Sequence, residues 1–217
     1  MNWHALRLSL KHANPLQVLA RYIYQGVRRC IVLDIFHMMY LVADSPNAST
    51  SSDGKLEFDF VPADVVRRAA TDPNSGMALD AVESALSRHE ECFGACTSEQ
   101  LVSYLWLAPS GAHLCQDVYV YFSTQYAYSR WSYTRNEYRG QHLHSITKNQ
   151  ALTRLSQRGT SGILSMVDVG NLPSVRAARH SGCRRVGILI ISRIGKRRII
   201  WASSGCRAYN VKLERIH

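Results

Sequence analysis

The chain has 217 residues, of which 46% are hydrophobic, and a formal net charge of +10. This is enough for one globular domain with a full core, or for one domain with an N-terminal elaboration. No apolar run reaches the roughly 18 residues of a membrane-spanning helix, since the longest, Cys30 to Ala43, is broken by Asp34 and His37; residues 1–25 lack the continuous apolar stretch of an export signal, so the cytoplasm is the expected compartment.

Residues 1–25 are basic and read as helical. Trp3, Leu6 and Leu10, then Leu16, Leu19 and Ile23 after Pro15, recur near helical spacing without any Asp or Glu. The segment is expected to be a helical extension (residues 1–27) packed on the body of the protein, with peripheral contact to a membrane surface as the other option. Residues 28–217 form the main domain. Residues 28–42 are rich in Ile, Val, Phe and Tyr and read as a strand, residues 44–54 as a polar loop, and Leu56 to Phe60 as an alternating strand. Helices are expected near 63–71 and 77–89, separated by a turn at Asp72-Pro73-Asn74-Ser75-Gly76. A hairpin follows (Cys92 to Cys96 and Leu101 to Leu107), then extended segments at Val118 to Phe122 and Tyr126 to Tyr133.

After Gly140 the apolar period changes to that of a helix. Leu143, Ile146, Ala151, Leu152 and Leu155 share one face, and Gly159 ends the run. A strand from Ile163 to Val169, a short helix from Pro173 to Ser181, and strands at Val186 to Ile191, Arg198 to Ala202 and Tyr209 to Leu213 complete the chain. This order gives an α/β fold with a mixed sheet, in which residues 126–169 form a strand–helix–strand crossover between parallel strands.

The six cysteines (Cys30, Cys92, Cys96, Cys115, Cys183 and Cys206), four of them in apolar, strand-like segments, read as buried free thiols. The Cys92 to Cys96 spacing is not that of a zinc ribbon, and no metal is expected. From Arg176 to Arg198 the chain carries eight basic residues and no carboxylate. That positive field suits a phosphorylated cofactor, an acidic carrier protein, a polyanion or an anionic membrane, and charge alone does not choose among them.

The segment Tyr138-Arg139-Gly140-Gln141-His142-Leu143-His144 follows a strand and opens a helix. Beyond that helix come Gly159, a strand, Asn171-Leu172-Pro173-Ser174, a short helix and Gly182-Cys183. Over residues 126–190 this succession resembles the GNAT superfamily of N-acetyltransferases, whose strand leads into an Arg-Gly-x-Gly-x-Gly/Ala turn and helix, followed by a strand, an Asn, a short helix and a Gly-Phe. The resemblance implies a GNAT-like mixed, partly splayed sheet flanked by helices. It further implies an acyltransferase using acetyl-CoA or another acyl-CoA, with the phosphopantetheine of an acyl carrier protein as the alternative donor, and a small-molecule amine as acceptor. The donor's arm is then expected along Ser132, Tyr133 and Thr134, its phosphates at Arg139, Gly140, Gln141, His142, Leu143 and His144, and its far wall at Asn171 and Ser174. A glycine turn opening a helix supplies free N–H groups and a positive dipole end, which suits phosphate.

The sequence departs from the family pattern at His142, His144, Ala178 and Cys183. The histidines stand where the family has small residues, and either contact phosphate when protonated or pack under the helix. Ala178 stands where the family has a tyrosine that protonates the leaving thiolate. Tyr126 and Tyr128, on one face of the preceding strand, are the candidate proton carriers, ahead of Glu137, and Tyr104 and Trp106 are candidates for an acceptor pocket. Core packing is the competing reading of this aromatic set. A non-catalytic module binding a polyanion is a further alternative, ranked lower because no helix-turn-helix or RNA-recognition signature is present.

Overall fold

A computed structural model describes residues 15–30, 32–42, 56–115, 118–194 and 197–215. The helix α1 (Pro15–Cys30) is followed by β1 (Val32–Val42), β2 (Glu57–Phe60), α2 (Ala63–Ala70), α3 (Leu79–Ser87), β3 (Glu91–Cys96), β4 (Leu101–Ala108), β5 (Gly111–Cys115) and β6 (Val118–Tyr121). Then come β7 (Tyr126–Thr134), α4 (Leu143–Ser156), β8 (Gly162–Asp168), α5 (Leu172–His180), β9 (Arg184–Ile194), β10 (Arg197–Ala202), α6 (Ser204–Arg207) and β11 (Lys212–Arg215). Single 3-10 turns lie at Pro73–Ser75 and Asn136–Tyr138.

The eight-stranded main sheet has the order β10-β9-β1-β8-β7-β4-β3-β2. Within it only β7 and β8 pair in parallel, as the crossover expected for residues 126–169 requires. The strands β11, β6 and β5 form a separate small sheet, so the last strand does not extend the main one. Two features had no sequence signal. Strand β1 sits between β8 and β9, pairing Met38 with Met166 on one edge and with Gly187 on the other. Strand β5 is a short segment that pairs with β6.

The expected strand over residues 28–42 begins late. Residues up to Cys30 belong to α1, which therefore crosses the expected boundary between residues 27 and 28. The helical period of the preceding residues continues through Val27 and outweighs the β-branched composition that begins there. The rest of the N-terminal extension (1–14) and the polar loop (44–54) lie outside the described residues. Helix α1 is tied to the sheet by Tyr24, whose hydroxyl accepts from the Ile35 N–H at 2.9 Å, while Leu16, Leu19 and Ile23 are exposed. Among the described residues no helix is long and apolar enough to cross a membrane.

Both faces of the sheet are covered, which explains why Met38 and Met39 are both buried although their side chains point oppositely. On one face α4 and α5 cover Met39, Leu41, Phe93, Leu105, Leu107 and Ile163. On the other, the small sheet packs against Met38, Tyr128 and Leu164, while α2 and α3 close over Tyr104 and Trp106. The apolar face read for α4 is buried throughout. The polar residues Ser145, Thr147, Lys148 and Asn149 are buried as well, because the helix is wedged between the sheet and α5. Asn149 Nδ2 donates to the carbonyls of Ser145 (2.9 Å) and Ser181 (3.3 Å), and the hydroxyls of Ser181 and Ser145 meet at 3.1 Å, fixing α5 on α4.

Candidate functional site

The β7–β8 ladder is short. It pairs Tyr126 with Gly162, Ala127 with Ile163 and Tyr128 with Leu164, and then stops. Each strand continues, and each keeps its outer partner: Ser129 and Ser132 to Thr134 stay paired to β4, and Ser165 to Asp168 stay paired to β1. A bulge places Arg130 and Trp131 opposite Trp106 alone. Such a bulge sharpens strand twist and turns β7 away from β8. The result is a cleft of about 680 Å³ that opens from an apex at Tyr128 and Leu164. Beyond the apex the two inner strand edges have no strand partner, and an extended ligand with amide groups is able to lie between them as a strand would.

The mouth of the cleft is the head of α4. Gly140 has φ of 83° and His142, the residue before the helix, has φ of 58°, so the turn uses the left-handed region twice. Glycine takes this at no steric cost, and histidine is among the residues that tolerate it best. No side chain caps α4; the Ser145 N–H turns back to the His142 carbonyl at 2.9 Å, which leaves the N–H groups of Leu143 and His144 at the positive dipole end. Arg139 is anchored beside them, its Nε donating to the Thr134 carbonyl at 3.2 Å and its guanidinium lying 5.6 Å from the Tyr133 ring. Across the cleft, Asn171 caps α5 by accepting the Ser174 N–H at 3.2 Å.

The structure brings Ser132, Tyr133, Thr134, Arg139, His144, Asn171 and Ser174 together as cleft lining. Gly140, Gln141 and His142 form the turn at its mouth, where the His142 ring lies 6.2 Å from that of His180. Leu143 contributes only main chain there, since its side chain is buried with Ala95, Val102 and Ile146. Tyr126 and Tyr128, the expected proton carriers, are not among the side chains lining the cleft. Alternation places them on the face that packs against the small sheet, where Tyr128 is buried beside Phe122 and Tyr126 stacks on Tyr40 and Tyr209. Tyr104 and Trp106 are likewise core, under α2 and α3, and the Tyr104 hydroxyl donates to the Ser75 carbonyl at 3.2 Å. Among the described residues no group of three or more His, Cys, Asp or Glu is placed to hold a metal. Cys92, Cys96, Cys183 and Cys206 are free thiols, and burial raises the Cys92 thiol far above its usual range.

Several cleft residues went unread in the sequence: Ser129, Arg130, Lys148, Ser165 and Asp168. Lys148 had a signal, because it precedes Leu152 and Leu155 by four and seven residues and so falls on the apolar face of α4. Its side chain is 3% exposed, and Nζ donates to Ser165 Oγ at 3.2 Å. Arg130 is held by Glu90, at 3.1 and 3.3 Å to the two carboxylate oxygens. Asp168 Oδ1 accepts the Gly170 N–H at 2.7 Å.

Burial, reinforced by the nearby Lys148 charge, lowers the His144 pKa to about 4. At neutral pH this imidazole is uncharged in the ligand-free protein. The folded pKa lies below the unfolded value of about 6.5, so the unfolded chain binds the extra proton between these values. Stability is therefore full above about pH 6.5 and falls by about 1–3 kcal/mol as pH drops toward 4. Urea denaturation from pH 7 to 4 is expected to show this loss, and His144→Gln to flatten it.

No protein-family model and no curated protein sequence matches the chain. By structure it is similar to a GCN5-related N-acetyltransferase-like protein from Streptococcus suis, at 13% identity and a TM-score of 0.51, covering 78% of this chain and 66% of that one. It is also similar to a conserved protein of unknown function from Staphylococcus epidermidis, at 9% identity and a TM-score of 0.52, covering 78% and 65%. A tandem GNAT protein from the clavulanic acid biosynthesis pathway matches at 14% identity and a TM-score of 0.46, covering 80% and 54%. The chain thus spans about two thirds or less of the length of these three structures. The fold is GNAT-like: a large mixed sheet, splayed between its two parallel strands and flanked by helices.

Proposed function

We propose that this protein is an N-acyltransferase that takes its acyl group from a coenzyme A thioester, acetyl-CoA in the first instance, and passes it to the amine of a small molecule. The observation that carries this reading is the splayed cleft, with the uncapped head of α4 at its mouth. A phosphopantetheine arm has a phosphate for the helix head and two amides for the unpaired strand edges. Arg139 and the first-turn N–H groups would take the phosphate, and Ser132 to Thr134 on one side and Asn171 and Ser174 on the other would flank the arm. Bound there, the thioester supplies an electrophilic carbonyl and a thiolate leaving group. The chain's own part is to orient the arm, exclude water from the apex and donate to developing charge on oxygen and sulfur. The attacking amine must shed a proton, to solvent or to a side chain of the acceptor's own pocket.

A second reading, a carrier-protein donor, draws on the charge around the cleft. Arg176 and Arg179 on α5, and Arg184 and Arg185 at the start of β9, are exposed with no carboxylate in that stretch. An acidic carrier protein would dock there and insert the same arm with a single phosphate. Calorimetric titration with acetyl-CoA, run beside an acyl-loaded carrier protein, separates the two. Micromolar binding of acetyl-CoA is expected. Binding of the carrier alone would replace the donor, and binding of neither would overturn the thioester reading.

A further inference from the structure

We infer that Lys148 is the proton donor to the departing thiolate, its ammonium standing beside the thioester sulfur at the apex of the cleft. The inference rests on the thioester reading and assigns the one group that reading leaves open. Ser165 is the first residue of β8 beyond the last parallel pair, so the Lys148 Nζ on its hydroxyl marks the closed end of the cleft. An arm whose phosphate sits at the α4 head and whose chain follows β7 inward brings its sulfur to that end. From Thr134 back to Ser129 the strand advances about 16 Å, a length of the order of an extended pantetheine arm.

The other titratable groups lining this space are committed or chemically unsuited. From α5 the cleft receives Pro173, Ser174, Ala177 and Ala178, none of which carries an acid group that titrates near neutral pH. The Tyr133 hydroxyl donates to the Asn74 carbonyl, and Arg130, tied to Glu90, has a guanidinium that does not give up its proton in proteins. Arg139 is at the mouth, and Asp168 takes the Gly170 N–H. His144 is uncharged at neutral pH. Lys148 is the buried cation that remains, and among the described residues it forms no ion pair, its one hydrogen-bond partner being the Ser165 hydroxyl. Burying an ammonium opposite only a hydroxyl is costly unless a ligand brings negative charge to it. A departing thiolate does so.

The step balances. The acceptor nitrogen bonds to the acyl carbon, the carbon–sulfur bond breaks with its electron pair on sulfur, and sulfur takes a proton from the Lys148 ammonium. The amine left on Lys148 is reprotonated from solvent, which has received the proton shed by the acceptor nitrogen. Thioester and amine become amide and thiol.

The test is the ionisation of the thiol of bound CoA, followed by ultraviolet thiolate absorbance as pH is raised, with phosphopantetheine as the parallel probe. An adjacent cation is expected to lower the pKa of the bound thiol by about 1 pH unit or more relative to free CoA. Lys148→Met should abolish the lowering and reduce kcat for acetyl-CoA about 100-fold, with KM changed less than about threefold because only the transition state is affected. Lys148→Gln, which keeps a hydrogen bond to Ser165, serves equally if the Met variant does not fold. A bound thiol that ionises alike in wild type and both variants would remove Lys148 from the reaction while leaving the thioester site intact. Lys148→Arg, which keeps a cation that does not give up its proton, should keep the lowered thiol pKa and lose kcat, and full kcat in it would overturn the donor role. Failure of both CoA and phosphopantetheine to bind the wild type would instead bring down the thioester reading and this inference with it.

Discussion

Gly140→Trp is expected to bind acetyl-CoA at least about 100-fold more weakly than the wild type, a loss of about 2.7 kcal/mol, while keeping its fold. A β-carbon built on Gly140 meets no atom within 4 Å, so the turn has room for a side chain. The cost to stability is that of an L-residue at φ of 83°, about 1–2 kcal/mol. The indole then adds bulk to the turn that opens α4, beside the helix head where the phosphate is proposed to sit. Gly140→Ala is the control: it carries the same backbone strain without the bulk, and should bind within a few-fold of wild type. Calorimetry on both variants, with circular dichroism to confirm the fold, reads the outcome. Wild-type affinity in the Trp variant would mean that the phosphate sits elsewhere.

The second large effect is on stability. The Glu90 side chain is 1% exposed and receives Arg88 Nε at 2.8 Å and Arg130 Nη1 at 3.1 Å. Both guanidinium groups are mostly buried, and Arg88 Nη2 already has no hydrogen-bond partner. Removing the carboxylate leaves two confined cations without their counter-charge, so Glu90→Ala is expected to cost about 3–5 kcal/mol. Glu90→Gln, which keeps an acceptor oxygen but not the charge, should fall between. Equilibrium urea unfolding measures both. A loss below about 1 kcal/mol for Glu90→Ala would place this cluster with weak surface pairs. Because Arg130 forms part of the bulge that turns β7 from β8, the variant should also bind donor more weakly than its folded fraction accounts for.

The part of the fold that builds the cleft was legible because its signals are local. Gly140, Gly159 and Gly182 each take a left-handed φ where the sequence put a turn or a helix end. What stayed hidden depends on long-range pairing. Nothing in residues 32–42 says that they lie between β8 and β9, more than a hundred residues away. The alternation of Tyr126 and Tyr128 told that they share a face but not which one, and the bulge at Arg130 and Trp131 resets the parity before the strand reaches the cleft. Ser165 and Lys148 meet only through the packing of α4 on β8. Lys148 alone could have been suspected, as a charge in a row of buried leucines.

Amide hydrogen exchange with and without saturating acetyl-CoA reads whether the gap between β7 and β8 holds the donor's arm. Ligand is expected to slow exchange in Ser129 to Thr134, in Ser165 to Asp168 and at the head of α4, since an arm lying between the strands takes up their free N–H groups. Protection confined to α1 and the β9–β10 hairpin, or none at all in the two strand segments, would contradict it.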